Sequence, residues 1–225
     1  MSLPTVKMTA NASGAAEAGS RGDVVLIVDV IDMSTTLESA LEAGALAVFG
    51  ASPDDTAPPV AVSPAQIGQR AGELAVAKNA GVVLVAEPRA GTDEQRLQRV
   101  KAVTGGLARA GARVCAVLPN IGAETPKLYD LRGKVVIAVT AAGGVAFDAA
   151  CAAGAPAVVT GTVARTLHSK GTAPALAAAK RAVAAARASN AGITVVAASG
   201  NALEDVLAAE YITRLVMEEY FRKGA

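Results

Sequence analysis

Short apolar runs alternate with longer segments of helical character along most of the chain. The run from Val24 to Asp29 has no polar alternation before its final acid, a pattern typical of a strand covered on both faces. Spacings that predict helix starts follow at Thr35, Ser63, Thr92 and Asn201, each with Glu or Gln three residues later. Because strands and helices alternate, the pattern predicts a three-layer α/β protein with a mixed or mostly parallel sheet.

The chain repeats one pattern at an offset of 110 residues, which carries Val25–Asp29 onto Val135–Val139. Each copy has an apolar strand, a short corner, an Ala-rich helix, an Ala-Gly-Ala ending and a second strand. The repeat predicts pseudo-duplicated βα halves over residues 22–119 and 134–225, within one compact domain. Residues 120–133 are interpreted as the connection and residues 1–21 as a flexible N-terminal tail. The alternative is that two unrelated βαβ units in an Ala-rich chain align this well.

Composition narrows the class of protein. Apolar residues make up 52% of the chain and aromatic residues 3%, so the core must be built from small aliphatic side chains. The net charge of +1 gives no reason to expect a nucleic-acid partner. His168 is the single histidine, which excludes a histidine-rich zinc site. No run approaches the roughly 20 apolar residues of a membrane span, and the N-terminus does not resemble a secretory signal, so a cytoplasmic protein is expected.

The corner after the first strand is the strongest candidate site. Asp29 ends the buried run, so its carboxylate is expected at the carboxyl edge of the sheet, where ligands of α/β proteins bind. Asp32 follows, and Ser34, Thr35 and Thr36 bring hydroxyl groups to a helix N-terminus, which favours a phosphate. Two carboxylates beside a phosphate suit Mg²⁺, which prefers oxygen ligands. Ordinary helix capping is the competing interpretation for the hydroxyl residues.

Two further corners contribute candidate residues. Thr140 ends the first strand of the second copy, and Gly143 and Gly144 would let the backbone approach a ligand, although a plain turn explains them equally well. Glu87 and Arg89 follow another apolar run, where the guanidinium could hold an acidic group through two parallel hydrogen bonds. A solvated loop arginine is the alternative interpretation.

The helix after the last predicted strand carries Glu204 and Asp205 in its first turn. Their interaction with the helix macrodipole is enough to explain the pair, and a metal or substrate contact is the functional alternative. The chain lacks the phosphate-binding loop of nucleotide triphosphatases, the nucleophile elbow of serine hydrolases and the dinucleotide fingerprint. Metal-assisted chemistry on a small acidic or phosphorylated molecule is the remaining expectation.

These motifs, in this order, resemble the 2-phosphosulfolactate phosphatase family of the coenzyme M pathway. The family has a strand followed by Asp-Val-Leu-Arg-Ala-Thr/Ser-Ser/Thr-Thr, which is similar to the segment Asp29–Thr36 here. Its Leu-Ala-Gly-Glu-Arg-x-Gly is similar to Val85–Gly91, its Gly-Asn-Ser-Pro loop to Pro119-Asn120, and its Thr-Thr-Thr-Asn-Gly-Thr corner to Val139–Gly144. Its closing Ser-Leu-Glu-Asp resembles Ala202–Asp205. The resemblance spans residues 22–216.

The resemblance implies Mg²⁺-dependent hydrolysis of a phosphate ester of a sulfonated hydroxyacid. In that frame Asp29 binds the metal or acts as nucleophile, Thr35 and the helix amides hold phosphate, and Arg89 holds the acid end of the substrate. Asp32 and Glu204 are the further expected metal ligands. The residues expected to line the substrate site are Ser34, Thr36, Glu87, Asn120, Thr140, Gly143, Gly144 and Asp205.

The chain departs from that family at three positions of the two corners. Asp32 stands where the family has arginine, which reverses the charge at the proposed phosphate site, and Ala142 and Gly144 stand where the family has asparagine and threonine. A relative that binds a small ligand without turnover is therefore the alternative function. A third hypothesis is a scaffold subunit whose Ala-rich closing helices form a homo-oligomer interface.

Overall fold

The computed structural model describes residues 5–222, in which strands and helices alternate almost throughout. The strands are β1 Val6–Ala10, β2 Val24–Val28, β3 Ala47–Ala51, β4 Val82–Ala86, β5 Val114–Pro119, β6 Val135–Val139, β7 Val158–Gly161 and β8 Ile193–Ala197. The helices are α1 Asn11–Ser20, α2 Met33–Glu42, α3 Pro64–Ala77, α4 Asp93–Gln98, α5 Lys101–Arg109, α6 Gly143–Ala152, α7 Ala173–Ser189 and α8 Leu203–Phe221. A 3-10 helix, Gly122–Lys127, follows β5 and packs against α2.

The strands form two sheets rather than one. Their orders are β1-β8-β2-β7 and β3-β6-β4-β5, and every pair of neighbours runs parallel. Helices α7 and α8 pack on the first sheet, and α3 packs on three strands of the second. The predicted α/β class, with parallel strands flanked by helices in a three-layer arrangement, is confirmed.

The two copies of the repeat are β2–α2–β3 and β6–α6–β7, and each copy begins in one sheet and ends in the other. Consequently β2 pairs with β7, and β3 pairs with β6. The predicted halves, residues 22–119 and 134–225, are therefore interlaced: each sheet takes strands from both. The corner after β2 and the corner after β6 meet in this arrangement, since Asp29 and Gly143 are in hydrogen-bond contact.

The central strand β2 is covered on both faces, as its unbroken apolar pattern predicts. Val25 and Ile27 lie in one core cluster with side chains of the second sheet, α1 and α6, whereas Leu26 lies in another cluster with α7 and α8. Small residues let the helices come close together. A Cβ atom on Gly19 of α1 would lie 2.6 Å from the backbone oxygen of Ala150 in α6.

The structure corrects the prediction of a flexible tail over residues 1–21. Val6–Ala10 forms β1, which pairs with β8, and Asn11–Ser20 forms α1, which packs on α6 and β2. Residues 1–4 lie outside the described residues. The strand was missed because β1 pairs with β8 alone and is partly exposed, so it does not have the apolar run of a central strand.

Helix boundaries follow the predicted caps only in part. The capping box at Thr92 is confirmed, because its hydroxyl accepts from the Gln95 amide and its amide donates to the Gln95 side chain. Helix α2 begins at Met33 rather than near Thr36, and neither Ser63 nor Asp32 caps its helix through its side chain. Within residues 5–222, no helix combines the length and apolar character needed to cross a membrane.

Candidate functional site

Asp29 joins the two corners of the repeat. It directly follows β2, and one carboxylate oxygen accepts from the Asp32 amide at 3.0 Å. The other accepts from the Gly143 amide at 2.9 Å. The predicted meeting of the two corners is therefore present, but the residue is only 3% exposed. The expectation of a carboxylate open to a crevice is not met, because backbone amides from both corners enclose it.

A second buried acid lies beside this junction. The Asp205 carboxylate accepts from the Val30 amide at 2.9 Å and from the Ser199 amide at 3.2 Å, which fixes the start of α8 against the first corner. The pKa of Asp29 is raised to about 6, chiefly by burial; the hydrogen bond from the Asp32 amide opposes this rise, and the neighbouring charges of Asp205 and Asp32 add to it. Burial likewise raises the pKa of Asp205. The corner thus holds carboxyl groups whose titration is shifted toward neutral pH.

We expect the titration of Asp29 to lower the stability of the protein as pH rises. The folded pKa of about 6 lies above the ordinary value of 3.8, so between these values the native state binds more protons than the unfolded state, and the free energy of unfolding falls. At about 1.4 kcal/mol per pKa unit, this contribution is about 3 kcal/mol.

Urea unfolding of the wild type and Asp29→Asn at about pH 4 and about pH 7 measures this contribution. The variant should lack the Asp29 part of the pH dependence, because it has no carboxyl group to titrate at this position. The same pH dependence in both proteins would contradict the assignment of the raised pKa to Asp29.

Arg89 is brought to the same corner. Its guanidinium forms an ion pair with Asp32, and its Nε atom lies 3.6 Å from a carboxylate oxygen of Glu87. The Arg89 side chain remains 47% exposed. The predicted residues at positions 29, 32, 87 and 89 therefore share one edge of the molecule, with the arginine on its solvent side, where a ligand could compete with Asp32 for it.

The hydroxyl groups of the first corner are occupied within the protein. Ser34 donates to a backbone carbonyl of β2 at 3.0 Å, and the hydroxyls of Thr35 and Thr162 lie 2.8 Å apart. Thr36 donates to the side-chain oxygen of Asn120 at 2.5 Å, while the buried Asn120 Nδ2 has no hydrogen-bond partner among the described residues. All of these side chains are buried. They hold α2 in place and, in this arrangement, do not project toward solvent.

The glycines of the second corner are required by the backbone itself. The Thr140 hydroxyl accepts from the Gly144 amide at 2.9 Å. A Cβ atom on Gly144 would lie 2.1 Å from the backbone oxygen of Ala51, and one on Gly143 would lie 2.2 Å from the carboxylate of Asp29. The sequence suggested that the backbone here approaches a ligand; in the structure it approaches the end of β3 and the side chain of Asp29.

A cavity of about 580 Å³ opens at the carboxyl ends of β1, β6 and β8. The starts of α1 and α6 both border it, and none of the described residues that line it is charged. Two lining residues connect the cavity wall to the buried acids. The backbone amide of Ser199 donates to Asp205, and Ala142 directly precedes Gly143, whose amide donates to Asp29. The other lining residues with polar side chains are Asn11, Ser13, Thr56 and Asn201.

Asn11 is a site residue that the sequence analysis missed. It has a left-handed backbone conformation, with φ of 66°, and its side-chain oxygen accepts from the Gly200 amide at 2.8 Å. This bond ties the start of α1 to the loop after β8 and so shapes the cavity. An asparagine directly before an Ala-rich segment was the available signal, since Asn tolerates this conformation better than most residues.

The predicted Mg²⁺ ligands do not form a preassembled site. Both carboxylate oxygens of Asp29 accept from backbone amides, Asp32 pairs with Arg89, and Glu204 is exposed at the start of α8. Among residues 5–222, no group of three or more His, Cys, Asp or Glu side chains is arranged to hold a metal ion. The side chains of the described residues alone therefore do not provide a cage for the ion.

Comparison with known proteins identifies no family for this chain. No family model matches the sequence, and no curated protein matches it either. The phosphatase resemblance accordingly stays a prediction.

Proposed function

We propose that this protein is a phosphatase-like hydrolase that acts on a small acidic phosphate ester at the carboxyl edge of its two sheets. The observation that carries the proposal is the position of Asp29, a buried acid with a pKa of about 6, directly behind the wall of the 580 Å³ cavity. An acid whose pKa lies near the working pH is suited to general acid or base catalysis.

The cavity suits a small anion. Helices α1 and α6 start at its border. The first amides of α6 already donate to Asp29 and Thr140, whereas no side chain of the N-cap residue bonds the start of α1. Helix N-termini favour negative charge, and phosphate in particular. The volume falls within the range of small-molecule sites. Arg89, half exposed at the neighbouring corner, is the proposed partner for the acid end of the substrate.

Asp29 must become accessible for this chemistry. Its bond to the Gly143 amide closes it off, so hydrolysis requires the second corner to move and release one carboxylate oxygen. Mg²⁺ is usually held by one or two carboxylates together with substrate phosphates. We therefore propose that Asp32 and Asp29 would hold the ion only together with a bound phosphate, in keeping with the absence of a preassembled cage among the described residues.

Ligand binding without turnover is the second candidate, and the closed state of Asp29 favours it. Asp29 is 3% exposed and both its oxygens accept from backbone amides. Asp148 in α6 is equally buried and bonds two amides in the same way, those of Ser52 and Ser63. In this candidate Asp29 has the same role as Asp148: it holds two segments together.

Phosphate release from a panel of phosphorylated hydroxyacids, with and without Mg²⁺, tests the hydrolase proposal. We expect Asp29→Asn to lower turnover by about 100-fold or more, the usual size of a lost general acid or base. Asp148→Asn is the matched control, because it also removes a buried carboxylate that accepts from two amides. Equal turnover in both variants would assign Asp29 a structural role.

Thermal unfolding with the same panel separates binding from turnover. Ala57→Trp places a large side chain on an exposed residue that lines the cavity. The binding candidate would be favoured if a phosphorylated hydroxyacid stabilises the wild type, if this stabilisation is lost in Ala57→Trp, and if no phosphate is released. Stabilisation that survives in Ala57→Trp would place the ligand elsewhere.

A further inference from the structure

The outer side of α8 carries a regular row of exposed residues. Its inner side packs on β1, β8 and α7 through buried residues such as Ala209, Ile212 and Val216. The outer row consists of Leu203, Leu207, Glu210, Arg214, Met217 and Phe221, separated by four and three residues in turn. This is the spacing of the contact positions in a coiled coil.

Most of the row is apolar although it faces solvent. Leu203 is 68% exposed, Leu207 54%, Phe221 57% and Met217 40%. Glu210 and Arg214 in the middle are also exposed and form an ion pair within the helix. Two pairs of exposed large apolar side chains, one at each end of the same helix face, form the kind of apolar surface that marks an interaction site.

We propose that this row is the interface with a second copy of this chain, whose α8 lies antiparallel to the first. Consider an antiparallel pair of α8 helices whose two-fold axis crosses the outer row midway between Glu210 and Arg214. In this pair Leu203 lies opposite Phe221 of the other copy, and Leu207 lies opposite its Met217. The same axis brings Glu210 opposite Arg214. All six positions of the row thus meet complementary partners in a single register, as a self-complementary two-fold interface requires.

The charges select this direction of pairing. In the antiparallel arrangement each Glu210 meets an Arg214, and the two contacts flank the axis, with an apolar pair on either side. A parallel arrangement would place Glu210 against Glu210 and Arg214 against Arg214, which is repulsive. The 19 residues of α8 give a contact line of about 28 Å at 1.5 Å per residue.

Sedimentation or light scattering tests the proposal on the full chain. We expect the wild type to have twice the chain mass of 22.3 kDa and Leu207→Glu to have the mass of a single chain. Val76→Glu is the control, since Val76 is 53% exposed on α3, outside the row; this variant should remain a dimer. A wild type that is a monomer at every concentration, or a Leu207→Glu variant that remains a dimer, would overturn the proposal.

Charge reversal tests the register. Glu210→Arg and Arg214→Glu should each be monomeric, because like charges then meet across the axis. An equal mixture of the two should form a heterodimer, and the double variant should form a homodimer again. Circular dichroism checks that each variant is folded. A mixture that stays monomeric, or single variants that stay dimeric, would exclude this register.

Discussion

Replacing Gly144 by alanine is expected to lower the free energy of unfolding by about 3 kcal/mol or more. The added Cβ would lie 2.1 Å from the backbone oxygen of Ala51 and 3.0 Å from its carbonyl carbon. That oxygen also accepts from the Thr140 amide at 3.2 Å, so it cannot withdraw without breaking a bond between β3 and the second corner. Urea or thermal unfolding measures the loss.

Two adjacent glycines in α5 provide the control. A Cβ on Gly105 would meet nothing closer than an Arg109 nitrogen at 3.9 Å, so Gly105→Ala should stabilise the helix by about 0.5–1 kcal/mol. A Cβ on Gly106 would lie 2.1 Å from the Ala65 backbone oxygen, and Gly106→Ala should destabilise as Gly144→Ala does. If Gly144→Ala unfolds at the wild-type midpoint, the close approach of α6 to β3 is wrong.

Arg181→Ala is expected to cost about 3 kcal/mol of stability at neutral pH, the lower end of the range for buried ion pairs, because Glu38 is buried whereas the Arg181 side chain is 35% exposed. Glu38 is buried in α2, forms an ion pair with Arg181, and accepts from the Thr160 hydroxyl at 2.6 Å. Burial raises the pKa of Glu38, and the charge of Arg181 opposes that rise. Without Arg181 the carboxylate is left uncompensated, so the loss should shrink at acid pH, where Glu38 takes up a proton.

A surface pair and a double variant provide the comparison for Arg181→Ala. Lys127→Ala breaks an exposed pair with Glu124 and should leave the free energy of unfolding almost unchanged, because solvent screens such pairs. Glu38→Gln combined with Arg181→Ala should recover much of the lost stability, because no buried charge remains. Urea unfolding at neutral pH compares them. An Arg181→Ala loss as small as that of Lys127→Ala would mean that Glu38 is not buried as described.

The repeat explains why the central helices carry buried acids. Glu38 and Asp148 occupy the same position in the two copies, 110 residues apart. Glu38 in α2 bonds Thr160 in β7, and Asp148 in α6 bonds the amide of Ser52, directly after β3. Each acid therefore ties its helix to the end of the strand that closes the other copy. The internal repeat shows that the two acids are equivalent in sequence. It does not show their hydrogen-bond partners, because these depend on the interlaced strand order.

The candidate site was predictable where it depends on strand ends. The sequence placed Asp29 and the Gly143 corner at one edge, and the bond between them is present. It did not predict that Ser34, Thr35 and Thr36 would be buried, because whether a hydroxyl at a helix start faces a ligand depends on what packs over it. Here Thr162 and Asn120, both distant in sequence, form hydrogen bonds with the hydroxyls of Thr35 and Thr36.

The sequence by itself determined the α/β class, the central strands and the duplication, because the burial of a parallel strand on both faces leaves an unbroken apolar run that can be seen locally. Only the tertiary structure decided that the copies interlace in two sheets, that residues 6–20 form β1 and α1, and that Asp29 is enclosed. These features depend on pairings between segments far apart in the chain, such as β1 with β8. No local pattern of polarity specifies which distant strand, helix or carboxylate a residue meets.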